Sequence, residues 1–210
     1  MSQNEKGLNI LICGSEKFSD ESFVFGMMDQ IFRAYEGNIE TVYTSKFSGS
    51  CEFVRNWVSS TNESIEKLNV HLLDEFKKTY GTTKGFVPHK LIQASDCTFD
   101  MHLAKENISL YEELDIPEFI IQNDPFFQKG KELLMQNHIQ MILAFPNPEG
   151  VLGASTQNIQ RFAKLAHIDN CFFDCSKAYK EITNLRQEKL NQMQNENHTG
   201  FSNRHPGKKF

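Results

Sequence analysis

Short apolar segments alternate along this chain with longer stretches in which apolar residues recur at helical spacing. The apolar segments predict strands at 8–13, 39–44, 119–121, 139–145 and 171–173. The amphipathic stretches predict helices at 19–35, from 48 onward, at 128–136, at 155–166 and from 176. Strands that alternate with helices are typical of a parallel sheet covered on both faces. We therefore predict an α/β fold, Rossmann-like and doubly wound, whose mostly parallel sheet places 8–13 beside 39–44 and 139–145.

Three stretches do not follow this alternation. Residues 68–73 are apolar but short, and either a strand or a helix fits them. Residues 80–117 are charged without a clear period, which indicates an insertion or a long functional loop. Residues 191–210 are rich in Gln and Asn and are expected to form a mobile tail. The expected organisation is one domain over 1–190, with the tail beyond it.

Composition narrows the classes of function. The formal net charge of -5 and the sequence pI near 5.8 disfavour a nucleic-acid partner, which requires a basic face. No apolar run reaches the roughly 18–20 residues of a membrane span, and the first residues lack a signal-peptide core, so we expect no membrane partner. The 5 cysteines are odd in number and irregular in spacing, which favours a reducing, cytoplasmic location.

Two of the predicted strands end in small residues immediately before a helix. The first strand runs into Gly14 and Ser15, and the strand at 139–145 runs into a loop at 146–150 that leads to a helix near Ser155 and Thr156. Such a junction exposes free backbone N–H groups at the positive end of a helix, where phosphate groups bind. The two junctions predict a site for a nucleotide or a related phosphorylated ligand.

The motifs at these junctions resemble those of the SLOG superfamily, in its YspA-like branch, which is related to the lonely-guy phosphoribohydrolases and to DprA. The first of the three corresponding segments is Gly14-Ser15-Glu16-Lys17-Phe18-Ser19-Asp20. The second is Ser45-Lys46-Phe47-Ser48-Gly49-Ser50-Cys51, followed by Trp57. The last is Ala144-Phe145-Pro146-Asn147-Pro148-Glu149-Gly150, followed by Ser155-Thr156-Gln157-Asn158. The resemblance implies a Rossmann-like fold that binds a nucleotide-type ligand, and association through helices beside the ligand loops.

The chain departs from that family at defined positions. The Arg of the second family motif falls on Ser48 and its Asp on Cys51, and the catalytic Glu of the lonely-guy enzymes falls on Asn158 or Ile159. Two functions therefore stay open. One is a nucleotide-directed hydrolase that cleaves an N-glycosidic or phosphate-sugar bond, and the other is a non-catalytic nucleotide sensor or a partner-binding module on the same scaffold.

The predicted ligand site collects the small and polar residues of the three loops. They are Gly14, Ser15, Lys17, Ser48, Gly49, Ser50, Pro146, Asn147, Gly150, Ser155, Thr156 and Asn158. The catalytic residue is unknown, with Glu149 in the last loop and Cys51 in the first turn of a helix as candidates. Neither the cysteines nor the histidines have metal-ligand spacing, so we expect no metal and no separate cofactor. Apolar helix positions at Phe23, Phe25, Phe53 and Trp57 predict a homodimer or larger assembly.

Overall fold

The computed structural model describes residues 7–96, 139–153, 156–157, 159–160, 163 and 171–200, with the backbone alone for 195–200. Its centre is a sheet of five strands. In chain order they are β1 (Leu8–Cys13), β2 (Ile39–Thr44), β3 (Gln93–Asp96), β4 (Met141–Ala144) and β5 (Phe172–Asp174). The strand order across the sheet is β3-β2-β1-β4-β5, and every neighbouring pair is parallel. The predicted parallel α/β fold and the predicted neighbours of β1 are confirmed.

The first helix, α1 (Glu21–Ala34), begins and ends as its sequence predicts. The Asp20 carboxylate caps it by accepting a hydrogen bond from the backbone N–H of Phe23 at 3.0 Å. Residues at helical spacing bury the face toward the sheet, among them Val24 and Met28. The helix ends at a turn in which Gly37 has a φ of 76°, a left-handed conformation that glycine adopts without a steric cost.

The second helix, α2 (Ser50–Tyr80), is 31 residues long and therefore about 46 Å from end to end. Its buried residues all lie in its first turns, between Ser50 and Val58. There the Trp57 ring packs against Phe32 of α1, and its indole N–H donates to the Asp29 carboxylate at 2.9 Å. The remainder of α2 extends beyond the body of the sheet as an arm. Residues 68–73 are helical, which settles the alternative that the sequence left open.

Strand β3 lies inside the stretch that the sequence analysis assigned to an insertion at 80–117. That assignment is wrong for 93–96, which pair with β2 as the edge strand of the sheet. Its sequence is Gln-Ala-Ser-Asp, and three of the four residues are exposed, so it lacks the apolar pattern of a buried strand. The strand is held by its backbone pairing and by Ile92, which precedes it and is 3% exposed.

The third helix, α3 (Ser176–Gly200), starts directly after β5 and packs on the α1 side of the sheet. Tyr179 packs between Phe18 and Phe23, and the Arg186 guanidinium forms an ion pair with the Asp20 carboxylate. The helix continues to Gly200, so the first half of the predicted mobile tail is helical. Gln, Asn and Met tolerate a helix even where nothing buries them. The predicted strand at 119–121 and helix at 128–136 lie outside the described residues.

Candidate functional site

The strand order reverses between β1 and β4, which creates a crevice at the carboxyl edge of the sheet. Strand β1 leads toward β2 and β3 on one side, whereas β4 leads toward β5 on the other. In open α/β sheets, ligands bind outside the carboxyl ends of the strands at such a reversal. The two strands end side by side, since Cys13 pairs with Ala144. The loops that begin at Gly14 and Pro146 therefore start next to each other.

Gly14 brings the end of β1 against the first residue of α2. A Cβ atom at Gly14 would lie 2.0 Å from the Ser50 Oγ and 3.1 Å from the Phe145 Cβ. The approach of the helix to the strand accounts for the glycine without a ligand. The Ser50 hydroxyl is fully buried there, and among the described residues it has no hydrogen-bond partner. A buried hydroxyl in that state is unfavourable, and it lies at the positive end of α2.

Gly49 makes the second close contact between the two loops. It has a φ of 70°, and a Cβ atom there would lie 2.3 Å from the Ser15 carbonyl oxygen. The Ser48 hydroxyl donates to the neighbouring Glu16 carbonyl at 3.4 Å. Gly49 is also the N-cap of α2, and it provides no side-chain hydrogen bond to the first turn. The N terminus of a long helix thus meets the loop after β1 without a side-chain cap.

The two strand-end loops use several of their own amides internally. The N–H groups of Lys17 and Phe18 donate to Ser15, through its hydroxyl at 3.1 Å and its carbonyl at 3.2 Å. The Asn147 side chain accepts from the Val151 N–H at 2.9 Å, and the Asn147 carbonyl accepts from the Gly150 N–H at 2.9 Å. These amides shape the loops and are unavailable to a ligand.

Two cations beside the loops were missed by the sequence analysis. Arg55, one turn into α2, donates to the carbonyl oxygens of Ser45 and Phe47, the second at 3.0 Å, and so fixes the loop that enters the helix. Lys180 of α3 lies across Gly150, where a Cβ atom would approach the Lys180 Cε to 2.8 Å. Both contacts depend on tertiary packing, and no local pattern in the sequence signals them.

An aromatic cluster closes the crevice on its α1 side. The ring of Phe18 lies 6.2 Å from that of Phe145 and 5.0 Å from that of Tyr179, measured between centroids. Phe18 and Phe145 are both buried. A ligand at this edge would therefore lie above the loops, on the α2 side, and not between the two rings.

The candidate catalytic residues occupy different environments. Glu149 is exposed at the tip of the loop after β4. Cys51 is buried, with its sulfur 4.0 Å from the Ile12 carbonyl oxygen. Burial, together with the nearby charge of Asp174, raises the pKa of the Cys175 thiol to about 12. This thiol therefore stays protonated and is a poor nucleophile. Within the described residues there is no cluster of His, Cys, Asp and Glu that would hold a metal ion.

The remaining predicted ligand residues divide into three groups. Ser15, Lys17 and Ser48 lie in the contacting loops, with Lys17 and Ser48 exposed. Pro146 and Thr156 are buried, and Thr156 is in a helical conformation near the start of the predicted helix at 155–166. Ser155 and Asn158 lie outside the described residues.

A groove lies at the opposite edge of the sheet, at the amino ends of the strands. This groove has a volume of about 980 Å³, and its lining includes Phe32, Arg33, Ile39, Ile65, Leu68 and Leu91. Several of these side chains are substantially exposed, and the groove is open along its length. Within the described residues, the strand reversal and the N terminus of α2, two features that favour an anion, lie instead at the carboxyl edge.

Comparison with known proteins found no matching family model, no matching curated protein and no matching solved structure. The parallel α/β fold thus rests on the topology of the sheet itself. Among the described residues, no helix has both the length and the apolar character needed to cross a bilayer.

Proposed function

We propose that the protein binds a nucleotide or a nucleotide-derived phosphorylated ligand at the carboxyl ends of β1 and β4. The observation that carries the proposal is the contact of Gly49 with Ser15, which brings the N terminus of α2 to the strand reversal. This helix end has no side-chain cap, and its first-turn N–H groups have no partner within the helix. Together with the helix dipole they favour a phosphate group.

The nucleoside part of the proposal has a different basis. It follows from the resemblance to the SLOG superfamily and from the use of this fold by many nucleotide-binding proteins, which is an analogy at the level of the fold. Ser48 stands where the family motif has an arginine, so this position offers no positive side chain to a phosphate. A phosphate in the proposed site would therefore be held mainly by N–H donors. We therefore expect modest affinity, because a bidentate contact from an arginine is absent at that position.

Binding without turnover is the second candidate function. Within the described residues, neither of the candidate groups is paired with a base, since the Cys51 sulfur contacts a carbonyl oxygen and Glu149 is exposed. A sensor or a partner-binding module needs residues that bind the ligand but no catalytic residues. Chromatography of the nucleotide after prolonged incubation with the protein distinguishes the two functions, because a hydrolase releases a free base or a sugar phosphate.

The ligand class is tested by a thermal-shift screen of nucleoside monophosphates, ADP-ribose, NAD and cyclic nucleotides. A compound that binds only the native state raises the melting temperature in proportion to the logarithm of its concentration above Kd. We expect phosphate-containing compounds to raise it and the corresponding nucleosides to have little effect. Equal shifts from nucleosides and nucleotides would contradict a phosphate site.

The position of the site is tested with a matched pair of charge variants. Ser48→Asp places a carboxylate beside the N terminus of α2, where it stabilises the helix but repels an anion. We expect calorimetric titration to show affinity for the selected nucleotide falling by about tenfold or more. Ser59→Asp adds the same charge on an exposed position farther along α2 and should leave the affinity unchanged. If instead Arg33→Met lowered the affinity and Ser48→Asp did not, the ligand would lie in the groove at the amino edge.

We also propose the homodimer that the resemblance implies, although the fold removes one argument for it. Phe23 and Trp57 are buried within the protomer, and Phe25 and Phe53 pack against the same core. These side chains are therefore satisfied without a partner subunit. Light scattering at micromolar concentration gives the mass directly, and a monomeric mass would count against the dimer.

A further inference from the structure

The far end of the α2 arm forms a surface unlike the rest of the molecule. After Tyr80 the chain turns at Gly81, which has a φ of 68°, and it returns along the helix toward β3. A Cβ atom at Gly81 or Gly85 would meet no other atom within 4 Å, so the turn is open to solvent. We call residues 76–91, the last turn of α2 and the returning segment, the basic tip.

Positive charge is concentrated on the basic tip. It contains Lys77, Lys78, Lys84 and Lys90 and no Asp or Glu, whereas the rest of the chain has the remaining 18 of 22 basic residues against all 27 acidic ones. Within the part of the chain that the structure describes, none of these four lysines forms an ion pair. Lysines in a last turn interact favourably with the helix dipole, which accounts for Lys77 and Lys78 but not for the other two.

The same surface exposes apolar side chains. Val87 is 84% exposed and Tyr80 is 65% exposed. Behind them, the Phe76 ring packs 4.6 Å from that of Tyr80 and 5.8 Å from that of Phe86, measured between centroids. This aromatic cluster connects the end of α2 to the returning segment. Apolar side chains and lysine stems that are exposed on one short segment can both lie against an interfacial layer.

We propose that the basic tip docks on an anionic membrane surface. Val87 and the Tyr80 ring would enter the interfacial layer, while the long lysine side chains reach the negatively charged headgroups. This binding is peripheral, so it needs no membrane-spanning helix and differs from the absence of a membrane partner that the sequence predicted. The overall acidic charge conceals it, because the four lysines are a local cluster in a chain that has more acidic than basic residues.

A membrane fits the tip better than a nucleic acid does. Single strands are bound by flat aromatic faces on which bases stack. Here Phe76 and Phe86 pack edge to face and are half-buried, and the most exposed apolar residue, Val87, is aliphatic. The body of the protein is acidic, which opposes an extended contact with a polyanion, whereas a tip at the end of an arm keeps that body away from a flat surface.

Cosedimentation of the full chain with vesicles tests the proposal. We expect binding to vesicles of phosphatidylcholine and phosphatidylserine at low salt, weaker binding at high salt, and little binding to phosphatidylcholine alone. Each lysine near an anionic surface contributes about fivefold in affinity, so Lys77→Gln/Lys78→Gln/Lys84→Gln should lower it by about 100-fold. Val87→Ser should lower it by about tenfold through lost apolar burial.

A second triple variant controls for net charge. Lys67→Gln/Lys177→Gln/Lys189→Gln removes the same charge from exposed positions outside the tip and should retain most of the binding. Circular dichroism of both triple variants verifies that they are folded. Equal loss in the two would overturn the proposal, as would no binding of the wild type to anionic vesicles. Lysine-dependent binding of an oligonucleotide, measured by fluorescence anisotropy, without vesicle binding would assign the tip to nucleic acid instead.

Discussion

The side-chain amide of Asn62 forms two hydrogen bonds with the main chain of Ile92. The Ile92 N–H donates to the Asn62 Oδ1 at 2.8 Å, and the Asn62 Nδ2 donates to the Ile92 carbonyl at 2.9 Å. Asn69 repeats the arrangement with His89, at 2.8 and 3.0 Å. Asn62 and Asn69 are seven helical residues apart, a rise of about 10.5 Å, and their partners Ile92 and His89 are three extended residues apart, about 10 Å. The two spacings therefore match. The pair of asparagines therefore holds the returning segment along α2.

Removing the Asn62 amide should destabilise the protein. Asn62→Ala leaves the backbone groups of buried Ile92 without partners, and we expect the free energy of unfolding to fall by about 1–3 kcal/mol. Asn69→Ala should cost less, about 0.5–1 kcal/mol, because its bonds are exposed. Urea unfolding followed by Trp57 fluorescence measures both. Asn56→Ala, an exposed position on α2, is the control, and an equal cost at all three positions would show that helix propensity and not the bonds is responsible.

The packing of Gly14 against Ser50 predicts coupling between two substitutions. Gly14→Ala introduces a Cβ atom into the space of the Ser50 hydroxyl and should cost about 1–3 kcal/mol of stability. In a Ser50→Ala background the closest contact is removed, so the same change should cost at least about 1 kcal/mol less. A double-mutant cycle of urea unfolding gives this difference. Additive costs would mean that the loop moves aside.

Ser50→Ala by itself separates folding from ligand binding. The hydroxyl is buried and has no hydrogen-bond partner in the part of the chain that the structure describes, so its removal should leave the free energy of unfolding unchanged or raise it by up to about 1 kcal/mol. If a bound phosphate accepts a hydrogen bond from that hydroxyl, the same variant should bind the nucleotide more weakly. A variant that is as stable as the wild type and binds equally well would exclude Ser50 from the ligand contacts.

The pH dependence of stability should reflect Asp20. Partial burial raises the pKa of this carboxyl. Hydrogen bonds from Ser22, the Phe23 N–H and Arg186, together with the positive charge of the guanidinium, outweigh that effect and bring the pKa below its ordinary 3.8. A folded-state pKa below the unfolded value stabilises the fold above about pH 3.8, and this contribution is lost as the pH falls through the folded value. Asp20→Asn keeps the helix cap and removes the charge, so its urea midpoint should fall less than that of the wild type between pH 5 and pH 2.

Arg186→Met provides the matched test of the same ion pair. It keeps the apolar stem and removes the guanidinium, which should cost at most about 1 kcal/mol at neutral pH because the pair is partly exposed. It should also reduce the loss of stability on acidification. An unchanged pH profile in both variants would show that other carboxyl groups control acid unfolding.

Tyr179 should anchor α3 to the body of the protein. Its ring lies 5.0 Å from Phe18 and 5.2 Å from Phe23, between centroids, and residues 187–194 of the helix are exposed. We expect Tyr179→Ala to cost about 2–4 kcal/mol and to increase amide hydrogen exchange throughout α3, because most of the stability of a helix in a protein comes from its tertiary packing. Tyr179→Phe, which keeps the ring, should preserve protection. Unchanged exchange in Tyr179→Ala would place the anchor elsewhere.

The elements that the sequence predicted are those with a strong local pattern. Strand β1 is a short apolar segment. Helix α1 has apolar residues at a 3.6-residue period, a cap at Asp20 and a turn at Gly37. Strand β3 was missed because its polar residues lie at an edge, where pairing with β2 replaces burial as the source of order. The long α2 was ambiguous over 68–73 because that half of the helix buries little and shows no clear stripe.

The candidate site was predicted only as far as its loops. Glycines at strand-to-helix junctions identified 14–15 and 48–50, and the structure brings these loops into contact. The structure also shows that the close contact between the loops requires a glycine at positions 14 and 49. From the sequence alone, the same glycines could equally have been needed to make room for a ligand. The cations Arg55 and Lys180 reach the loops through helix packing, and the aromatic cluster forms between segments far apart in sequence. Such contacts have no signal in a single sequence.

Helix α2 sets a fixed distance between the two proposed sites. Its N terminus lies in the candidate ligand site at Gly49, and its C terminus lies in the basic tip at Tyr80. A continuous helix of 31 residues is a stiff spacer of about 46 Å, several times the Debye length at physiological salt. If the helix stands upright on an anionic bilayer, the proposed nucleotide site would lie outside the surface potential, and membrane charge would not compete with a ligand phosphate for the helix N terminus.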